Sequence, residues 1–271
     1  MSLPEWKSQI FPGKIRAILS WPSSGLLVVA SREQVMLWNL QTKTQVYVLD
    51  LAFNLLDIKI AQLQAQSSAF GLYVLGSNGL VFIYALQNDT ITCVGKIRLL
   101  RTNEDDVAYG SLSVEGNFIA STFGKNVVVR NSDAKDKRVI TAKHGYIFQG
   151  IHSRKKITHL LFLSPNRLMI LSYEAGLLVT FDLKLEMRCQ VLRLPFHPSS
   201  ATFSRKNDVI VFHDPFGGTY FYNATELKPV NSILGGTTTT ATLALPAYLT
   251  FTEDEQAVGI ASNNGKFCFL Q

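Results

Sequence analysis

The feature that most constrains this chain is a unit of short apolar strands that recurs along its length. Its clearest copy, Gly25–Leu49, reads GLLVVASREQVMLWNLQTKTQVYVL. The apolar run Leu26–Ala30 is followed by a polar turn, a second run around Trp38, another polar turn and a third run, Gln45–Leu49. Short strands separated by regularly spaced polar turns predict β-hairpins rather than helices. Because similar units recur, the pattern favours a repeat architecture.

The chain of 271 residues divides into units of roughly 45 residues, each adding one strand before this three-strand pattern. Runs such as LLVVA, LMILS and DVIVF predict strands covered on both faces, and the turns SNG, EAG, PFGG and SNNG place glycine where a tight turn needs it. We therefore predict one all-β domain over 1–271, a six-bladed β-propeller, with stacked β-sandwich domains as the alternative. The predicted blades cover 15–52, 55–100, 106–143, 156–195, 199–235, and 241–271 together with 4–11.

Closure of the ring is the open question in this prediction. The last unit stops one strand short at Gln271, and Pro4–Phe11 precedes the first unit without a unit of its own. Pairing Pro4–Phe11 with the last unit would remove an exposed sheet edge. The alternatives are a ring completed by a strand or blade from a partner, and a chain that is part of a longer protein.

Four of the units resemble WD40 repeats. The match is best at LLVVASREQVMLWNLQTKTQV, LYVLGSNGLVFIYAL, LMILSYEAGLLVTFDL and VGIASNNGKFCFL, and the Trp-Asp pair of the family appears as Trp38-Asn39 and as Phe181-Asp182. No Gly-His pair begins a repeat, so we expect apolar packing to hold the blades together. The architecture is also similar to the propellers of membrane-coat and nuclear-pore scaffolds. The resemblance implies a rigid ring that presents loops on two faces to protein partners.

The residue types of catalysis and metal binding are present but not assembled. The five histidines show no HxH or HxxxH spacing, and we interpret His213-Asp214 as a turn-capping pair. No GxSxG, P-loop or GxGxxG motif occurs. We therefore predict that the protein is not an enzyme and has no catalytic residue, metal site or cofactor. The three cysteines lie far apart in apolar runs, which predicts buried free thiols: Cys93, Cys189 and Cys268.

A basic segment is the strongest functional signal. Between Lys125 and Lys156 there are nine Lys or Arg and two Asp, a net charge of +7 in a chain whose total is +6. Cations interleaved with aromatic side chains are typical of surfaces that bind phosphates or acidic peptides. The alternative is a solvated loop whose aromatic residues pack on the blade. The candidate partner-binding residues are Lys137, Arg138, Lys143, His144, Tyr146, Phe148, Arg154, Lys155 and Lys156.

These observations favour a non-catalytic scaffold subunit of an intracellular multi-protein complex, in the cytoplasm or nucleus. We expect its protein partners to contact a rim that includes 143–156 or the seam between the first and last units. The alternative function is an RNA-binding propeller in RNA processing or ribosome assembly, with 125–156 as the phosphate contact. No apolar run reaches the roughly 18 residues that a membrane span requires, and no secretory signal core is present at the start of the sequence.

Overall fold

The structure is a computed structural model. It describes residues 15–22, 24–63, 69–87, 90–99, 110–116, 118–123, 126–131, 140–143, 157–185, 187–230, 247–251, 255–256, 258–262 and 267–270. All the regular secondary structure in these residues is β-strand. They contain no helix with the length and hydropathy of a membrane span.

The first four sheets each contain four antiparallel strands in sequence order. Sheet 1 contains β1 (Ala17–Trp21), β2 (Leu26–Ala30), β3 (Gln34–Asn39) and β4 (Thr44–Asp50). Sheet 2 contains β5 (Leu55–Gln62), β6 (Phe70–Gly76), β7 (Leu80–Gln87) and β8 (Thr90–Arg98). Sheet 3 contains β9 (Leu112–Glu115), β10 (Phe118–Phe123), β11 (Asn126–Asn131) and β12 (Ile140–Lys143). Sheet 4 contains β13 (His159–Ser164), β14 (Arg167–Ser172), β15 (Leu177–Asp182) and β16 (Met187–Arg193).

The last two sheets have three strands each in the described part of the chain. Sheet 5 contains β17 (Ser200–Ser204), β18 (Val209–His213) and β19 (Thr219–Asn223). Sheet 6 contains β20 (Ala247–Phe251), β21 (Val258–Ser262) and β22 (Phe267–Leu270). The sequence predicts a fourth strand at Pro229–Leu234, but Pro229 forms only an isolated bridge with Tyr222, and 231–234 lie outside the described residues. Proline has no N–H to donate, which limits pairing at this position.

The first strands of successive sheets lie side by side and form the inside of the propeller. β5 contacts β1 and β9, β13 contacts β9 and β17, and β20 contacts β17 and β1. The prediction of an all-β propeller is confirmed. Six complete four-stranded blades are not formed by the described residues, since only four sheets have four strands. Pairing of 4–11 with sheet 6 stays a prediction, because 4–11 lie outside the described residues.

Apolar clusters between neighbouring sheets hold the propeller together. Leu37 and Leu72 lie in the cluster between sheets 1 and 2. Corresponding clusters join sheets 2 and 3, 3 and 4, 4 and 5, and 5 and 6. Each fully buried leucine contributes about 1.5–3 kcal/mol relative to an exposed one. The predicted apolar packing between blades is therefore present.

The strand order defines two faces. The turns from first to second and from third to fourth strand lie on one face, the first face. The turns from second to third strand, and the links between sheets, lie on the opposite, second face. In sheets 1, 2 and 4 the register of the third and fourth strands shifts at the same place, at Leu37/Trp38, Ile83/Tyr84 and Thr180/Phe181. Such bulges twist an outer strand and make edge-to-edge association less favourable.

Candidate functional site

The predicted basic surface falls largely outside the described residues. This applies to Lys137, Arg138, His144, Tyr146, Phe148, Arg154, Lys155 and Lys156. Lys143 is described as the last residue of β12, where it pairs with Asn126 on the second face. The preceding connection leaves β11 at Asn131 and enters β12 at Ile140, on the first face. The connection that leaves β11 and the link that leaves β12 therefore start from opposite faces.

Polar side chains on the inner strands bind the backbone of the next sheet. A carboxylate oxygen of Asp57, on β5, accepts a hydrogen bond from the N–H of Leu112, on β9, at 2.7 Å. The hydroxyl of Ser111 accepts from the N–H of Leu160, on β13, at 3.2 Å, and Ser113 accepts from Phe162 at 2.9 Å. These bonds satisfy N–H groups at the inner edge of sheets that have no strand beside them there. This network was not predicted from the sequence.

His159 and Tyr173 form a hydrogen-bonded pair at the inner end of sheet 4. The Tyr173 hydroxyl lies 2.7 Å from Nε2 of His159. The pKa of His159 is lowered to about 4, mainly by burial and also by the positive charge of Lys59, while Asp57 opposes this shift. Burial raises the pKa of Tyr173 well above its usual value, and the negative charge of Asp57 adds to this. Both groups are therefore neutral near pH 7, and the pair is not suited to exchange a proton at that pH.

The other acidic and histidine side chains in the described ranges do not assemble into a metal site. No three His, Cys, Asp or Glu residues among them come together in an arrangement that could hold a metal ion. His213 is buried with its Nδ1 3.1 Å from the Thr219 hydroxyl, and burial lowers its pKa. These groups serve packing and hydrogen bonding within the sheets.

A rigid turn on the second face connects β18 to β19. One carboxylate oxygen of Asp214 accepts hydrogen bonds from the N–H groups of Phe216 at 2.9 Å and Gly218 at 2.7 Å. Its other oxygen accepts from the Tyr220 hydroxyl at 2.8 Å. Burial, together with this bond to Asp214, raises the pKa of Tyr220 to about 12. The capping role predicted for Asp214 is therefore observed, although His213 does not share in it.

The turn presents an aromatic side chain to solvent. Phe216 is 87% exposed, the highest value among the large apolar side chains for which exposure is described. The ring of Tyr220, whose hydroxyl donates to Asp214 in the same turn, stacks on Phe196 with a centroid distance of 3.7 Å. The link that carries Phe196 is tied to sheet 4, because Nδ1 of His197 lies 2.9 Å from the carbonyl oxygen of Tyr173. The turn that carries Phe216 is therefore connected to sheet 4 as well as to its own sheet 5.

The sequence itself contains a signal for this site. Phe216 lies within PFGG, a pattern that predicts a turn. Asp and Gly on either side of an aromatic residue indicate a tight turn that cannot bury a large side chain at its tip. The clustering of cations instead predicts a binding surface at and after the last strands of sheet 3.

The prediction of buried thiols needs correction. Cys93 and Cys189 are exposed rather than buried, because both lie on fourth strands that form the outer rim. Nothing is described of the Cys268 side chain. Asn223, the last residue of β19, donates from its amide nitrogen to Asp208 at 3.1 Å and accepts from the N–H of Glu226 at 2.7 Å. The asparagine is therefore a structural part of the turn after β19.

Comparison with known proteins supports the fold. No family model matches the sequence, and no curated protein matches it. Among solved structures, the crystal structure of Raptor from Chaetomium thermophilum is similar, with a TM-score of 0.67 and 11% identity. The similarity covers 96% of this chain and 25% of that one, so the chain spans about a quarter of the Raptor chain. At this identity the likeness shows the fold alone, and it places the chain in the structural class of β-propellers.

Proposed function

We propose that this propeller is a non-catalytic scaffold subunit of an intracellular multi-protein complex, and that it binds a protein partner through the second face around Phe216. The observation that carries the proposal is the 87% exposure of Phe216 on a turn fixed by Asp214. Exposing a large aromatic ring contributes nothing to folding, whereas a rigid aromatic side chain is the usual anchor of a protein interface. Because the turn is already ordered, binding would cost little conformational entropy.

The inner polar groups support a structural rather than catalytic role. Asp57, Ser111 and Ser113 are engaged with backbone N–H groups, and His159 is engaged with Tyr173. Their hydrogen bonds leave no nucleophile beside a basic group with a pKa near 7. This is the pattern expected of a scaffold whose interior holds the sheets together.

We also propose that 1–271 forms one ring of six WD40-like blades, closed by pairing of 4–11 with sheet 6. The approach of β1 to β20 supports closure, since it brings the first and last sheets together. Deletion of 4–11 should lower the melting temperature of the purified protein by several degrees. An unchanged melting temperature would argue for closure by another segment or by a partner.

The interaction is tested with a tagged full-length chain and its Phe216→Ser variant in the native cell. Quantitative mass spectrometry should show partners retained by the wild type and reduced by about tenfold in the variant, which corresponds to a loss of about 1.4 kcal/mol. Leu185→Ser is the matched control, because Leu185 is also exposed, at 64%, but follows β15 on the first face. Equal recovery of partners by Phe216→Ser and wild type would reject this surface.

A further inference from the structure

The fourth strands of sheets 2, 3 and 4 end in the same way. The last residue of β8 is Arg98, that of β12 is Lys143 and that of β16 is Arg193. Each pairs with the first residue of the third strand of its own sheet: Leu80, Asn126 and Leu177, respectively. The three cations therefore occupy equivalent positions at the second-face end of the rim.

Hydrogen bonds just beyond the strands confirm this equivalence in sheets 2 and 4. The N–H of Leu99 donates to the carbonyl of Gly79 at 3.1 Å, and that of Leu194 donates to the carbonyl of Gly176 at 2.7 Å. Sheet 1 has the same arrangement, with Leu51 donating to Glu33 at 2.8 Å, but its strand ends in Asp50. The position thus holds a cation in three consecutive sheets and an acid in the sheet before them.

The strands that carry these cations have no acidic residue. β8 contains Lys96 and Arg98, β12 contains Lys143, and β16 contains Arg188 and Arg193. The side chains of Arg98 and Arg193 are exposed. Arg98, Lys143 and Arg193 thus form an arc of basic residues along the second-face edge of the rim from sheet 2 to sheet 4, and the exposed Glu174 lies in the turn beside the end of β16.

Exposed aliphatic side chains accompany the cations. Val191 is 45% exposed and lies two residues before Arg193 on a regular stretch of strand, so both side chains are on the same side of the sheet. Val94, on β8, is 52% exposed. Among the exposed large apolar side chains described, none on these strands is aromatic. Single-stranded nucleic acid prefers aromatic rings for base stacking, whereas an acidic protein segment with apolar residues matches cations and aliphatic groups.

We propose that the arc formed by Arg98, Lys143 and Arg193 binds an acidic, extended segment of a partner protein that also carries aliphatic side chains. This inference rests on the proposed scaffold function and names the chemistry of a partner at the same face as Phe216. Its carboxylates would contact the exposed side chains of Arg98 and Arg193, and its apolar side chains would cover Val191 and Val94. The equivalent spacing from sheet to sheet suits a segment that runs along the rim.

The test uses the purified full chain and fluorescence anisotropy with three labelled probes. The probes are a peptide in which glutamate alternates with valine, a peptide in which lysine alternates with valine, and oligouridylate. The glutamate peptide should bind more tightly than the other two probes. The double variant Arg98→Glu, Arg193→Glu should weaken its binding by about tenfold, since two attractive contacts become repulsive.

Arg193→Glu alone should also weaken binding, and Arg188→Glu is its matched control, because it makes the same single charge change on β16 at the opposite end of the strand. Arg188→Glu should change the affinity by less than about twofold, since it lies away from the arc. Circular dichroism checks that each variant is folded. An equal loss of affinity for the glutamate peptide in Arg188→Glu and in the double variant would overturn the proposal. So would the absence of any preference for the glutamate peptide over the other two probes. Tighter binding of oligouridylate that the double variant abolishes would assign the arc to nucleic acid and overturn the protein partner. The Phe216 pull-down can succeed or fail independently of these results.

Discussion

The guanidinium group of Arg205 lies 2.6 Å from the carboxylate of Glu115, although the two residues belong to sheets 5 and 3. Arg205 is in the turn after β17, and Glu115 is the last residue of β9. Both positions are on the first face, so the ion pair joins sheets 3 and 5 across the end of sheet 4. The same turn is bound to sheet 6, since the Ser204 hydroxyl and the N–H of Lys206 both donate to the carboxylate of Glu255. One turn thus links three sheets that strand pairing leaves separate.

Removing this ion pair should loosen the first face without unfolding the protein. Arg205→Ala should lower the free energy of unfolding by about 0.5–1 kcal/mol, because the Arg205 side chain is 57% exposed and solvent weakens the pair. Urea unfolding at low and high salt measures the effect, and the difference from wild type should shrink at high salt. Lys228→Ala is the control, because its pair with Glu226 joins two exposed neighbours. An equal effect of both substitutions would show that the link between sheets contributes nothing.

Asp57 should be among the most important polar residues for stability. Asp57→Ala leaves the N–H of Leu112 without an acceptor and should cost about 1–3 kcal/mol of unfolding free energy. Asp57→Asn keeps an acceptor oxygen and should cost less. Asp50→Ala, at an exposed position, should stay within about 0.5 kcal/mol of wild type. Indistinguishable stability of Asp57→Ala and Asp50→Ala in urea would contradict the role of the inner-strand bonds.

The protein should lose stability as the pH falls from about 6.5 to about 4 through His159. The pKa of His159 is about 4 in the folded protein and 6.5 without its surroundings, so only the unfolded chain binds the proton in this window. Stability is therefore fully present above pH 6.5 and decreases below it, by an amount on the order of 2–3 kcal/mol at pH 4.

The contribution of His159 is isolated by comparison with His159→Gln over the same pH range. The variant should have a flatter profile between pH 6.5 and pH 4, because glutamine does not titrate there. Carboxylates that titrate in this range affect both proteins alike. Parallel stability profiles for the two proteins would show that His159 is protonated as easily in the folded state as in the unfolded one.

Gly218→Ala should weaken partner binding although it leaves Phe216 in place. A β-carbon at Gly218 would lie 2.6 Å from the Tyr220 hydroxyl and 2.7 Å from a carboxylate oxygen of Asp214. The bond that fixes the turn must therefore shift, and partner recovery in the pull-down should fall. At Gly95 an added β-carbon meets only ordinary contacts of 3.6 Å or more, so Gly95→Ala is the control. Full recovery with Gly218→Ala would mean that a fixed turn is not required.

Cys93 and Cys189 should both react with a thiol reagent in the folded protein, since both are exposed. Intact-mass analysis after a short treatment should show modified protein, and Cys93→Ser and Cys189→Ser should each remove one modification. Protection of both cysteines until denaturant is added would contradict the position of the fourth strands on the rim.

The strands of the propeller were predictable because their apolar runs are covered on both faces. Predicted and observed bounds agree at Leu26–Ala30, and the predicted apolar run LMILS lies in the strand Arg167–Ser172. The burial of side chains on the fourth strands was harder to predict, because one side of each strand is covered and the other lies on the outer rim. Cys189 follows the same apolar pattern as a buried residue, yet it sits beside the register shift of β16 and is exposed.

The contacts that support the sites could not be inferred from local pattern. Asp57 and Leu112 are separated by 55 positions, and Arg205 meets Glu115 across an intervening sheet. Such pairs depend on how the sheets are placed around the ring. The arc of cations likewise appears only when the strand registers show that Arg98 and Arg193 are equivalent.

The measurement that tests the scaffold function most directly is co-purification of the tagged full chain from its native cell, with and without nuclease and at two salt concentrations. We predict a set of proteins in fixed stoichiometry that survives nuclease and moderate salt, because an interface with an apolar centre depends little on ionic strength. Loss of the whole set on nuclease treatment or on a modest increase in salt would contradict the account and favour a phosphate contact instead.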